Sequence, residues 1–230
     1  PDLFIKKPEK HYAHAKTPQE YKKVLLQLKL VRSGLSVKTA VNLVPHLMLR
    51  PDELASLKWE YFDFNERMII IPASVMKVKK KIHHVPLSNI TFEIFSNHKI
   101  KSVDSPYCFP SPKNKSKSIL AESILQAIRR VGISPDEFTT HGNRHSAATL
   151  IGNHLPQHRR DVVDAQLHHK IPGVSGIYNQ SDFLEERKPL MEDWSNYLDA
   201  LQGNPLLTET SSMDGNIEKL KASIDSLTKS

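Results

Sequence analysis

The stretch from residue 139 to residue 178 constrains this chain most, because it gathers reactive side chains closely. It reads TTHGNRHSAATLIGNHLPQHRRDVVDAQLHHKIPGVSGIY. His141 and Arg144 stand three positions apart, a histidine pair occupies positions 168 and 169, and Tyr178 follows nine positions after the second histidine. A guanidinium, imidazoles and a phenol suit a site that binds a phosphate and attacks it. We therefore expect a fold that brings these groups into one cleft.

Binding of the phosphate requires cations. A phosphate under attack carries negative charge on its non-bridging oxygens, and two arginines can clamp both of them. Arg144 is one candidate, since it lies one helical turn from His141 on the same predicted face. Arg50, at the predicted entrance of a short helix, is the second candidate. Glu53 stands three residues later and is expected to hold the Arg50 side chain in place.

Tyr178 is the candidate nucleophile. A phenol ionises only near about pH 10, so it needs neighbouring cations or a base. Gly173 and Gly176 precede the tyrosine and allow a mobile segment that presents the ring. A lone tyrosine is more often a core residue. The interval to His169 and the His-x-x-Arg pattern upstream favour the nucleophile over that reading.

A basic run between two predicted strands supplies the candidate general acid. Residues 75–81 read VMKVKKK. Lys77 follows the first strand, and a lysine on a flexible hairpin can protonate a leaving oxygen. Lys79, Lys80 and Lys81 are interpreted as contacts to DNA backbone phosphates. The alternative is that Lys77 belongs to the same solvated charge run.

Composition narrows the class of protein. The net charge of +7 is compatible with nucleic acid or with an anionic membrane surface. No apolar run approaches the length of a membrane span. The single cysteine, Cys108, excludes an intrachain disulfide and a cysteine-based metal cluster, which fits a reducing cytosol.

The periodicity predicts an α+β fold that is mainly helical with a small antiparallel sheet. Thr17 and Glu20 form a capping box. The first helix is expected to end near Arg32. Two strands are predicted over residues 67–72 and 82–86, with a possible third at 62–64. Predicted helix starts lie at Thr17, Ser36, Arg50, Ser88, Ser118, Thr140, position 157 and Asp182.

Three segments are expected along the 230 residues. Residues 1–16 have no helical or strand period and are interpreted as a linker from a missing N-terminal core-binding domain. Residues 17–202 form the catalytic domain, and residues 203–230 form a tail. The tail contains an apolar stripe at helical spacing, formed by Ile217, Leu220, Ile224 and Leu227. This stripe folds back on its own domain or docks on a neighbouring protomer.

Four segments carry a resemblance to a known family: LMLRPDELASLKW, MKVKKKIHHVPLS, THGNRHSAATL and LHHKIPGVSGIYNQSDFLEERKPLMEDW. In this order and at these intervals they resemble the catalytic domain of tyrosine recombinases, above all the integrases of prophages and genomic islands. The resemblance covers about residues 1–202. It implies a site-specific DNA recombinase that cuts and rejoins DNA through a 3′-phosphotyrosine intermediate, without ATP, cofactor or metal.

The resemblance also implies a role for each matching residue. The two candidate arginines would bind the scissile phosphate, and His169 would hydrogen-bond it. Lys77 would protonate the leaving oxygen, and His141 would assist proton transfer. Tyr178 would attack the phosphorus.

Three positions depart from the family pattern. Leu49 stands where members often have glycine before the first arginine, and His168 stands where they often have glycine before the second histidine. Asn143 replaces the usual apolar residue before Arg144. No catalytic group is lost, but whether His168 or His169 faces the phosphate stays open.

The resemblance implies partners as well. These are double-stranded DNA at attachment sites, and three further copies of the chain in a homotetramer on DNA, with exchange of C-terminal tails. The chain would be monomeric in solution. Accessory DNA-bending or directionality factors are expected, a membrane is not, and the location would be the bacterial cytoplasm with its nucleoid.

Three rival functions share some of these sequence features. His141 and His145 have the helical spacing of a zinc site, but no glutamate base lies between them and Arg144 would repel a cation. We therefore expect no metal. A type IB topoisomerase shares the tyrosine chemistry, although the LEERKPLMEDW segment favours an integrase. A non-catalytic DNA-binding module would lack a catalytic group, whereas all are present here.

Overall fold

The structure is a computed structural model that describes residues 12–76, 81–102, 104–169 and 183–203. A mainly helical α+β fold with a small antiparallel sheet is confirmed. The strands are β1 (Phe62–Asp63), β2 (Met68–Ile71) and β3 (His83–Pro86). The helices are α1 (Pro18–Leu28), α2 (Leu35–Leu47), α3 (Pro51–Ala55), α4 (Asn89–Lys101), α5 (Ala121–Arg130), α6 (Gly142–His154), α7 (Arg160–Gln166) and α8 (Leu184–Leu201).

Helix α2 is the centre of the domain, because it packs against α1, α3, α4, α5, α6 and α8. Val41, Leu43 and Leu47 of this helix are completely buried. Burial of each such side chain contributes roughly 1.5–3 kcal/mol to stability. Pro45 lies in the last turn, and its carbonyl accepts a hydrogen bond from Nε1 of Trp194 in α8 at 2.9 Å. The C-terminal end of α2 is therefore held by its neighbours.

The sheet has the order β1-β2-β3, and both strand pairs are antiparallel. Ile69 and Ile71 of β2 are buried, whereas Ile70 between them is exposed. This alternation is the pattern of a strand with one covered face. Ile69 pairs with Val85 and Ile71 pairs with His83, so the two strands predicted over residues 67–72 and 82–86 form the expected antiparallel pair.

The first helix is shorter than predicted. Its capping box is confirmed, since the backbone N–H of Glu20 donates to Oγ1 of Thr17 at 3.2 Å. The helix ends at Leu28, not near Arg32. The reason is a turn in which the N–H of Val31 donates to the Leu28 carbonyl and places the Val31 side chain in the core.

Two predicted N-caps were wrong. α2 begins at Leu35 with Gly34 as its N-cap, so Ser36 lies inside the helix. At the start of α6, the N–H of Gly142 donates to Oγ1 of Thr139 at 2.8 Å, so Thr139 and not Thr140 supplies the side-chain acceptor. Adjacent hydroxyl residues look equivalent in a sequence, and the direction of the incoming chain selects one of them.

The ends of the last two helices also differ from the predictions. α7 covers residues 160–166 and not 157–168. At its C-terminal end, His168 has a positive φ of 51°, which is incompatible with a continued α-helix. α8 begins at Leu184 after Phe183, whose φ is 50° and whose side chain makes no cap. The predicted start at Asp182 lies outside the described residues. The helix ends at Leu201 as expected.

A buried histidine links three helical segments. Nδ1 of His46 in α2 lies 3.0 Å from Oγ of Ser195 in α8, and Oγ of Ser88, the N-cap of α4, donates to the same hydroxyl at 2.8 Å. His46 is buried, and this burial lowers its pKa to about 4. The imidazole is therefore neutral in the folded state at neutral pH.

We expect the free energy of unfolding to fall as the pH decreases from about 7 to about 5. The unfolded chain protonates His46 near about pH 6.5 and the folded chain only near pH 4, so protons favour the unfolded state in that window. This effect amounts to about 2 kcal/mol at about pH 5. Urea unfolding of the wild type and of His46→Gln would measure it. A variant with the same pH dependence as the wild type would contradict the assignment.

Candidate active site

The C-terminal end of α2 meets the start of α6 at the candidate site. The last carbonyl groups of a helix have no partner within it, and side chains of α6 supply donors here. Nδ2 of Asn143 donates to the Val44 carbonyl at 2.8 Å. Nη1 of Arg144 donates to the Met48 carbonyl. The negative end of the α2 dipole also favours the arginine cation, so this helix end holds Arg144 in place.

Arg144 joins α6 to the residues that follow α7. Its Nη2 donates to the Leu167 carbonyl and lies 3.2 Å from Nε2 of His169. The residue is only 3% exposed, and a buried guanidinium needs acceptors for its N–H groups. The fold therefore gives Arg144 a single direction, with His169 beside its outer edge.

Arg50 is held by Glu53, as the spacing predicted. Arg50 is the N-cap of α3, and its Nη1 lies 2.9 Å from Oε1 of Glu53. The backbone N–H of Arg50 donates to Oε2 of the same carboxylate at 3.0 Å. The Glu53 side chain is nearly buried, so this ion pair is protected from water. A two-point contact of this kind orients the guanidinium.

Arg50 and Arg144 belong to one electropositive site, called the cleft below, because Nη1 of Arg144 donates to the carbonyl of Met48, two residues before Arg50. Burial, followed by the charge of Arg50, lowers the pKa of Arg144 to about 10, and Glu53 opposes this shift. Burial, followed by the charge of Arg144, lowers the pKa of His141 to about 4, with smaller contributions from Arg50 and His169. Charges interact this strongly only at short range. An anion bound here would relieve the repulsion among these groups.

The two consecutive histidines have different surroundings. His168 is buried, and its ring centroid lies 4.6 Å from that of His83. Its φ of 51° lies in the left-handed region that glycine tolerates best. A residue with a side chain loses about 1 kcal/mol of stability in this conformation. His169 instead lies beside Arg144. The structure therefore places His169 in the cleft and His168 in the core.

Two further departures from the family pattern have structural reasons. Asn143 is buried, and its Oδ1 accepts a hydrogen bond from the Tyr21 hydroxyl while its amide caps α2. An apolar residue could make neither contact. Ahead of Arg50, the residue in the left-handed conformation is Met48, with a φ of 55°. Leu49 therefore needs no glycine-like backbone and is buried in the core.

Residues 12–16 pack across the start of α6. The N–H of Thr139 donates to the Ala13 carbonyl at 3.2 Å, and the rings of Tyr12 and His141 lie 4.2 Å apart. A Cβ at Gly142 would lie only 1.9 Å from the Ala13 oxygen. Glycine is thus required at this position for the close approach of the two segments. This part of the predicted linker contacts the domain and covers one side of His141.

Several predicted site residues lie outside the described part of the chain. These are Lys77, Lys79, Lys80 and Tyr178. Lys81 is described and is exposed.

Sequence reasoning missed one residue at the cleft. Oδ1 of Asp164 in α7 lies 3.3 Å from Nδ1 of His169. The signal that could have found it is the spacing, since the two residues stand five positions apart across the end of a helix.

The described ranges also bear on metal binding and membrane insertion. Within residues 12–76, 81–102, 104–169 and 183–203, no three side chains of histidine, cysteine, aspartate or glutamate form a group that could hold a metal ion. Across the same residues, every helix is too short or too polar to cross a lipid bilayer.

Comparison with known proteins gives consistent matches. The profile of the phage integrase family matches residues 16–185. The prophage integrase IntZ of Escherichia coli K12 is 33% identical over 184 residues, which are 78% of this chain and 45% of that protein. The integrase of Shigella phage Sf6 is 34% identical over 164 residues, 70% of this chain and 41% of that protein. The chain thus spans less than half the length of these relatives.

Solved structures share the fold. The integrase from mycobacterium phage Brujita superposes with a TM-score of 0.58 at 19% identity, covering 90% of this chain and 63% of that one. The Tn1549 transposon integrase in complex with circular intermediate DNA gives a TM-score of 0.54 at 13% identity, covering 96% of this chain and 69% of that one.

Proposed function

Because the chain belongs to the phage integrase family, we propose that it is the catalytic domain of a site-specific DNA recombinase. It cuts and rejoins double-stranded DNA at attachment sites and so integrates or excises a mobile element. One observation supports the proposal: Arg144 donates to the carbonyl of Met48, two residues before Arg50, and lies 3.2 Å from Nε2 of His169. Two guanidinium groups at a single site match the non-bridging oxygens of a phosphodiester.

Tyr178 is the nucleophile in this proposal. Its phenolic oxygen forms a bond to the scissile phosphorus while the bond between the phosphorus and the 5′ oxygen breaks. The leaving 5′ oxygen takes a proton from Lys77. The product is a 3′-phosphotyrosine, and a 5′-hydroxyl of another strand reverses the steps without an external energy source. The electropositive cleft stabilises the negative charge of the transition state.

His141 is suited to proton transfer. It is neutral near pH 7, because burial and Arg144 lower its pKa to about 4. A neutral imidazole can accept the phenolic proton of Tyr178. Negative charge builds up on the phosphate oxygens in the transition state. This charge would raise the pKa of His141 during the reaction, since an adjacent negative charge favours the imidazolium.

We further propose that the chain is a monomer in solution and assembles on DNA as a homotetramer. In this tetramer each protomer exchanges its C-terminal tail with a neighbour. The apolar stripe of residues 217–227 needs an apolar surface. A surface cleft of about 180 Å³ in the described domain offers the apolar side chains of Leu25, Leu28, Pro45, Ile90 and Ile94, bordered by the polar residues Lys29, Asn42, His46, Asp199 and Gln202. The tail of a neighbouring protomer would fill this cleft. Accessory DNA-bending or directionality factors would act on the assembled complex in the bacterial nucleoid.

Covalent capture on a suicide substrate tests the function. The full-length protein would be incubated with a nicked duplex that carries the junction sequence flanking its gene. We expect a protein–DNA adduct on a denaturing gel, in EDTA as well as in magnesium, because the proposed chemistry uses only side chains. A duplex with the scrambled junction sequence is the control. The absence of an adduct, or a strict need for a divalent metal, would overturn the proposal.

A further inference from the structure

Asp164 sits at the end of α7 where His169 leaves the helix. Its Oδ1 lies 3.3 Å from Nδ1 of His169, and its backbone carbonyl accepts a hydrogen bond from the His169 N–H at 2.8 Å. Its other oxygen, Oδ2, lies 3.1 Å from Nε of Arg160 one turn earlier. The carboxylate is mostly buried, at 18% exposed. Arg160 therefore holds one oxygen of the Asp164 carboxylate, and the other oxygen faces the His169 ring.

The two neighbours of the His169 ring select the same tautomer. An ionised carboxylate can only accept a hydrogen bond, so the contact with Asp164 places a proton on Nδ1. A guanidinium can only donate, so Nη2 of Arg144 at 3.2 Å faces a lone pair on Nε2. Both contacts require a neutral ring with its proton on Nδ1. Agreement of two independent partners fixes the ring orientation.

A bound phosphate would change the requirement at Nε2. To hydrogen-bond a phosphate oxygen, Nε2 has to carry a proton, which makes the ring an imidazolium. Burial, Arg144 and Arg50 disfavour that state and lower the pKa of His169, whereas Asp164 raises it. His141 also faces this group from α6. Among these neighbours, Asp164 contributes the negative charge that stabilises a protonated ring.

We propose that Asp164 is a positioning residue for His169: its carboxylate orients the ring through Nδ1–H and stabilises the form that donates to a phosphate oxygen through Nε2–H. The proton on Nε2 comes from solvent as the anion enters the cleft. This inference rests on the proposed recombinase function and adds a residue to that site. Carboxylates that orient histidines at metal sites change activity by roughly ten- to a hundredfold, and we expect a similar effect here.

Cleavage kinetics with the full-length protein test the proposal. Asp164→Ala is expected to slow single-turnover cleavage of the suicide duplex by about ten- to a hundredfold, with DNA binding within about twofold of the wild type. Asp164→Asn is expected to lie between, because its amide oxygen still accepts from Nδ1–H but carries no charge. Asp161→Asn is the matched control, since this carboxylate lies on the same helix and pairs with Arg159.

A double-mutant cycle separates this role from a structural one. In a His169→Ala background, Asp164→Ala should change the cleavage rate by less than about twofold, because the two residues act through one ring. An equal loss in both backgrounds would overturn the proposal. So would wild-type rates for Asp164→Ala.

A measurement without catalysis keeps the test independent of the proposed function. Nitrogen-15 NMR of the histidine side chains, with His169 assigned by its loss in His169→Gln, should show the Nδ1–H tautomer in the wild type and a mixture in Asp164→Ala. An Nε2–H tautomer in the wild type would contradict the inference. If the wild type forms no DNA adduct but shows the expected tautomer, the recombinase function fails and the Asp164–His169 pairing stands.

Discussion

Tyr178→Phe is expected to abolish the covalent DNA adduct and to leave DNA affinity unchanged. The substitution removes one oxygen, which is the atom that would bond to phosphorus, and retains the ring. Affinity should persist because phosphate contacts from arginine and lysine dominate DNA binding. Denaturing gels with the suicide duplex measure the adduct, and native gels at constant salt measure the affinity.

Tyr107→Phe is the matched control for this variant. Tyr107 lies in the loop before α5, where its backbone forms an isolated β-bridge with Lys58. This variant should form adducts at the wild-type rate. If Tyr178→Phe were still trapped on the nicked duplex, another side chain would be the nucleophile, and mapping of the covalent peptide would identify it.

Arg144→Lys is expected to reduce cleavage by about a thousandfold or more. Removal of a single transition-state donor typically costs about a hundred- to a thousandfold, and Arg144 combines this role with contacts to two carbonyl groups. Its guanidinium reaches the carbonyls of Met48 and Leu167 and stands beside His169 at the same time. An ammonium group is a compact charge and cannot reproduce this planar fork.

The stability of the Arg144→Lys variant has to be measured with its activity. Arg129→Lys is the matched control, because Nη1 of Arg129 also donates to backbone carbonyls, those of Ile133, Ser134 and Phe138. Both variants should unfold at lower denaturant concentration than the wild type. Only Arg144→Lys should lose cleavage in the folded state. Equal activity of the two variants would show that Arg144 has a structural role alone.

The fold and much of the candidate site could be predicted from local patterns. The capping box at Thr17, the N-cap at Ser88 and the alternation in β2 are decided by residues a few positions apart. The contact between Arg50 and Glu53 is of the same local kind, three residues apart on one helix start. Such features depend on backbone geometry that repeats in every protein, so a sequence suffices to recognise them.

Other features of the site could not be predicted because they depend on distant residues. The sequence gives no reason for the departure at Asn143, whereas the structure shows that its side chain contacts Val44 and Tyr21 from elsewhere in the fold. The choice between His168 and His169 follows from packing against His83. Neither partner could be identified from sequence spacing.

The family, the order of the reactive residues and the mainly helical architecture can be recognised from the chain alone, because each is expressed in local motifs and their intervals. Which reactive groups converge depends instead on how the helices pack. Arg144 is oriented by a carbonyl 96 positions earlier in the chain, and His169 is held between Arg144 and Asp164. Hydrogen bonds of this kind form only when packing of the core brings the helix ends together, and no local pattern encodes that meeting point.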